Sequence, residues 1–213
     1  MPQTNFGVLL KLFSIAYESP TTTLADAVVS GTLSNEIKTA WMALGLPQNS
    51  IDEFSGRLEL YVGQDEEEIL HELRCEFTRL FLGDNPLIAN SEGMWRMKSE
   101  GRSAVLIINS YSLEIADFMR ECGIIKAEGY NDCIDYIDTE FDFASHLAER
   151  PQYLIDLGKD PIELLDSFIE EHMRLWIPGF CSEVKTVSNM IYYNALSELI
   201  DKLMIEMQDT SIR

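Results

Sequence analysis

Residues 65–82 read DEEEILHELRCEFTRLFL, and this stretch decides the fold. Asp65 and the three glutamates after it crowd a first helical turn, where the positive end of the helix dipole favours carboxylates. Leu70, Leu73, Phe77, Leu80 and Phe81 then recur at a period near 3.6, which predicts one buried stripe. Gly83 is a natural stop.

Outward from it the same period repeats. Phe6, Leu9, Leu10, Phe13 and Tyr17 predict an opening helix. Thr23 or a neighbouring threonine caps a short second helix reaching about Ser30, and Ser34 is read as the cap of a third carrying Ile37, Trp41 and Leu44. Residues 52–61 give another helix before Gly63. Towards the C-terminus, helices are predicted over 103–121, over 131–149, from Asp160-Pro161 to Pro178, and through Tyr192, Leu196, Leu199, Ile200, Leu203 and Met207. No alternating run of useful length appears. The expectation is an all-α, single-domain helical bundle of about eight to ten helices. Residues 84–102 read as a long irregular loop with Pro86, Gly93 and Gly101, functional or a hinge. The chain 1–213 is taken as one domain, with sub-domains 1–83 and 102–213 joined by loop 84–101 as the other division.

Charge narrows the partners. Sixteen basic residues face thirty-six acidic ones, a net −20 that repels nucleic acid and anionic membrane and attracts basic peptides or metal cations. The four cysteines form no CxxC pair and read as reduced core thiols of a cytosolic protein. The N-terminal twenty residues lack a basic n-region, and no apolar run is long enough to span a bilayer. A cytoplasmic protein with no membrane insertion is expected.

The acid is concentrated. Between Ala127 and Glu149 stand seven carboxylates and no lysine or arginine. On a helical projection Asp132, Asp135, Asp138, Asp142 and Glu149 share one side, opposite Ile134, Ile137, Phe141, Ala144 and Ala148. Like charges at this spacing destabilise a helix, so the stripe reads either as a solvated face or as a surface awaiting a cation. Glu140 projects between the apolar stripe and a second band of Tyr136, Phe143 and Leu147, internally paired or reserved for an arginine.

Catalytic signatures are absent: there is no GxxxxGK[ST], GxGxxG, GxSxG or HExxH. His71 and Cys75 share a helix face, but two ligands make no metal site. The best enzymatic alternative is a helical metal-dependent nucleotide pyrophosphohydrolase. Its EExxE motif fails here, because His71 follows Glu67-Glu68 where the third glutamate is needed.

Three stretches together resemble the TorD/DmsD-type redox-enzyme maturation chaperones. Residues 76–83, EFTRLFLG, are similar to that family's E-(Y/F)-x-x-L-F-x-G helix end, and 89–95, ANSEGMW, stand where a P-P-(Y/W)-(E/G)-S-V-(Y/W) loop follows, keeping Glu92 and Trp95. Asp135 and Glu140 match an E-P-D-H and E-L-x-F pair in which Tyr136 replaces histidine. Residues 168–180, FIEEHMRLWIPGF, resemble F-x-x-E-H-x-x-x-W-x-P-x-F. The resemblance implies a non-enzymatic, cofactor-free cytoplasmic chaperone and a divergent member of its family. It would bind the twin-arginine leader and apo-form of a molybdenum-containing oxidoreductase subunit, assist cofactor insertion and delay export, as a monomer or domain-swapped homodimer. The candidate peptide-binding residues are Leu80, Phe81, Glu92, Trp95, Asp135, Tyr136, Asp138, Glu140 and Asp142. Carboxylates beside a greasy groove suit a guanidinium followed by an apolar segment. Leu80 and Phe81 lie on a helix stripe that more often makes plain core, and His172 and Trp176, one turn apart, read as packed or hydrogen-bonded inside the core.

Overall fold

The computed structural model describes residues 4–83, 86–102, 108–124 and 133–207. The helices are α1 (Asn5–Tyr17), α2 (Thr22–Val29), α3 (Thr32–Ala43), α4 (Gln48–Leu58), α5 (Glu66–Phe81), α6 (Glu92–Ser99), α7 (Ser110–Glu121), α8 (Ile137–Ala148), α9 (Gln152–Asp156), α10 (Pro161–Phe168), α11 (Arg174–Val187) and α12 (Ile191–Glu206). A π-turn, Ile169–Met173, joins α10 to α11 in one rod. The described residues thus form an all-α fold, close to the expected helix count. No helix among them is long and apolar enough to cross a membrane.

The caps explain the boundaries. Asp65 accepts from the Glu68 amide at the start of α5, and Thr21 accepts from the Leu24 amide at α2. Asp160 accepts from the Ile162 amide at 2.8 Å with Pro161 behind it. Along α5 the stripe Ile69, Leu73, Phe77, Leu80 and Phe81 is buried, with Leu70 at its edge. Phe81 packs on Tyr17, Phe77, Phe180 and Tyr193, all at ring separations near 6 Å or less.

Four boundaries differ from expectation. The third helix begins at Thr32 behind Gly31, whose left-handed backbone turns the chain there, so Ser34 lies inside it. The segment 84–102 contains α6, capped by Ser91 on the Met94 amide, with Glu92 in its first turn and Arg96 and Lys98 in its last. The acidic helix starts only at Ile137, because Tyr136 is extended and forms an antiparallel bridge with Ser91. Finally, α11 runs through Pro178. A proline leaves the carbonyl four residues earlier without its donor. Here that residue is Arg174, where the π-turn has already shifted the pattern, its amide bonding back to Ile169. The expected starts of the helices at 103 and 131 lie outside the described residues.

One core holds both halves. α1 lies along α8, α4 packs on α12, and α11 on α12, so elements before and after residues 84–101 share the same buried cluster.

Candidate functional site

The three stretches that carry the family resemblance meet around the start of α6. The Glu92 amide donates to the Asp135 carbonyl (2.9 Å) and the Ile137 amide to the Asn90 carbonyl (3.0 Å). Asp135 Oδ2 accepts from the Gly93 amide at 2.9 Å and from Ser112 Oγ at 2.8 Å. Glu92 is bound by Arg96 Nη1 at 2.7 Å and by His172 Nδ1 at 3.1 Å. Trp176 Nε1 donates to Glu140 Oε2 at 2.9 Å. Glu92, Asp135 and Glu140 are each 0% exposed, and His172 only 5%.

Three buried carboxylates against one guanidinium leave a surplus of negative charge, and such a cluster lowers it by taking up a proton. Burial first, then the charge of Glu92, pushes the Glu140 pKa well above the ordinary glutamate value. Glu140 Oε1 meets no donor, so a proton taken up by Glu140 removes a charge that the protein leaves half unpaired. Nearby, burial and the Asp135 charge push the Cys133 thiol up to about 12. It stays a hydrogen-bonded thiol rather than a nucleophile.

Glycine makes the contact close. A Cβ on Gly93 would sit 2.6 Å from Asn109 Nδ2, and one on Gly179 would sit 2.5 Å from Trp95 Cη2. α6 is therefore pressed between the start of α7 and α11, with the Trp95 indole laid across Gly179 and Arg96 3.9 Å above the Tyr111 ring.

The opposite, solvent-facing side of α8 is different. Between α1, the end of α7 and α8 lies a recess of ≈ 360 Å³, with the half-buried Ile124 over the buried Met119 and Phe143 as its apolar lining and Asp142, Glu149 and Lys11 as its charges. Lys11 Nζ reaches Asp142 Oδ1 at 2.5 Å, with both side chains about half exposed. One turn before Asp142, Asp138 has its pKa raised to about 6. Burial is the largest cause; Glu18 and Asp142 add like charge, while the first amides of α8 pull the other way. His146 stacks on Tyr153 and shares a 3.1 Å hydrogen bond with its hydroxyl.

The nine expected residues thus part company. Leu80 and Phe81 are core. Glu92, Asp135 and Glu140 are buried and partnered within the protein, beyond the reach of a peptide in this conformation. Trp95 and Tyr136 are half-buried, the first against Gly179 and the second at the cap of α8. Asp142 is exposed on the outer face, and Asp138 one turn before it is half-buried. The uniform acidic face expected over 131–149 is corrected accordingly: the extended Tyr136 breaks the helical projection and turns Asp135 inward, and Lys11 from another helix meets Asp142. Glu128 and Asp132 lie outside the described residues. Lys11 and Phe143 were missed as parts of the recess. Lys11 interrupts the apolar run of the first helix, which was a usable signal; nothing in sequence pairs His172 with Glu92.

Among the described residues no group of three histidine, cysteine or acidic side chains is placed to hold a metal ion. No curated protein matches the sequence. The sequence model of the nitrate reductase delta subunit matches residues 46–182, which spans α4 to the middle of α11 and includes every motif gathered around the start of α6. The chain belongs to the nitrate reductase delta subunit family, the TorD-like chaperones that assist maturation of a molybdoenzyme's catalytic subunit.

Proposed function

We propose that this chaperone binds the twin-arginine leader of its client, with the apo-form of the subunit behind it, and holds it in the cytoplasm until the cofactor is inserted, delaying export. It acts without turnover, as a monomer or as a homodimer swapped through residues 84–101. The recess on α8 carries the reading: acids at its rim and apolar side chains beside them match a guanidinium followed by a greasy segment. Asp142, with the half-buried Asp138 one turn before it just outside the lining, takes the arginines, and Ile124 takes the apolar part over a floor of the buried Met119 and Phe143. Glu92, Asp135, Glu140 and Trp95 serve indirectly, by fixing α6 and the start of α8; Leu80 and Phe81 support them from the core.

The test is a titration with a fluorescein-labelled peptide bearing two adjacent arginines and an apolar tail. Replacing both arginines by alanine weakens binding by about tenfold or more, since a hydrogen bond to a charged group contributes about 1.5–3 kcal/mol. Asp138→Asn with Asp142→Asn does the same without unfolding, and added salt lowers the affinity. Binding indifferent to the arginines, to salt and to both aspartates overturns the assignment.

A further inference from the structure

We infer that Lys11 is a built-in competitor for the leader's arginine: it holds Asp142 when no peptide is bound and has to let go when one arrives. The inference rests on the recess assigned above and concerns what sets its affinity.

Lys11 is the single charged residue of α1, whose sequence is otherwise NFGVLL-LFSIAY. It projects from the helix that lies along α8, and its ammonium meets Asp142 inside the recess. An aliphatic stem with one cationic tip, reaching an acid beside apolar surface, reproduces in miniature what a basic, greasy peptide offers. The two side chains are 43% and 55% exposed. A pair so open to water is weak and screened by salt, so a ligand can displace it. A lysine offers a point charge, whereas an arginine fork can engage carboxylate oxygens in pairs. The internal cation therefore guards the acid against loose cations and yields to a guanidinium that brings additional contacts.

The experiment measures the affinity of the same labelled twin-arginine peptide for wild type, Lys11→Met, Lys11→Gln and Lys38→Met. Lys38 makes a comparable exposed pair, 3.1 Å from Asp52, on another part of the surface, so its variant carries the same change in net charge. Lys11→Met and Lys11→Gln raise the affinity about 2- to 5-fold, the range an exposed ion pair allows, while Lys38→Met stays near wild type. In an Asp142→Asn background the gain disappears. Lys11 variants that match Lys38→Met, or that bind more weakly, overturn the competitor role while leaving the recess intact as the binding site. Absence of peptide binding by wild type and every variant would instead remove the recess reading itself.

Discussion

Asp135 and Glu140 on one side, Asp138 and Asp142 on the other, come from eight consecutive residues, yet they have opposite fates. The first pair is fully buried, each acid bonded to neutral donors from Gly93, Ser112 or Trp176. In the second pair Asp142 is exposed and meets Lys11 from α1, while Asp138 is half-buried one turn before it. The inward acids are held in place by donors from the protein itself, whereas Asp142 is open to a guest. The comparison teaches that a run of carboxylates has no single meaning until the backbone decides which of them face water. In water an ion pair contributes little, whereas a buried carboxylate stripped of its donors is costly.

The largest expected effect breaks the inner group. Glu92→Ala leaves His172 and Arg96 without their acid and should cost about 3–5 kcal/mol in urea unfolding, the usual price of orphaning a buried charge. A loss below about 1 kcal/mol would show that the Glu92 bonds to His172 and Arg96 do not hold α6.

Gly179→Ala comes next. In an ordinary helix this change stabilises by about 1 kcal/mol. Here the new methyl meets the Trp95 ring, so the sign reverses to a loss of about 1–3 kcal/mol, accompanied by a red shift of tryptophan fluorescence. Adding Trp95→Ala should recover part of the Gly179→Ala loss; a simple sum of the two losses would refute the contact.

The smallest effect sharpens the contrast through pH. Both Glu140 and Asp138 have raised folded values. The folded state therefore binds their protons more tightly than the unfolded chain, and their stabilising contribution is full at low pH and fades as pH rises. For Asp138 the fading falls between 3.8 and about 6; for Glu140 it begins near 4.5 and extends well above. Asp138→Asn should thus gain on wild type up to about pH 6 and then level off, while Glu140→Gln, which can still accept from Trp176, keeps gaining beyond it. Melting temperatures from pH 4 to 8 check both, and parallel curves for the two variants would erase the distinction between inner and outer acids.

Much of the fold was legible because local chemistry governs it. The acid-loaded first turn and apolar stripe of α5, and the Asp160-Pro161 start of α10, depend on nearest neighbours along the chain. α6 was legible too, through Ser91, Glu92 and the basic last turn, but two glycines and a proline nearby drew the reading towards a loop. The candidate site was less accessible. Ser91 and Tyr136 are forty-five positions apart in sequence, and their bridge holds Tyr136 extended, so the acidic helix does not reach back to Asp135.

From sequence alone came the all-helical class, the acidic character and the family, since periodicity, capping and net charge are properties of short segments and of composition. Tertiary structure decided which carboxylates are buried and which lysine meets which aspartate. Those outcomes depend on solvent exclusion and on distances between segments far apart in the chain, and neither quantity exists before the helices pack.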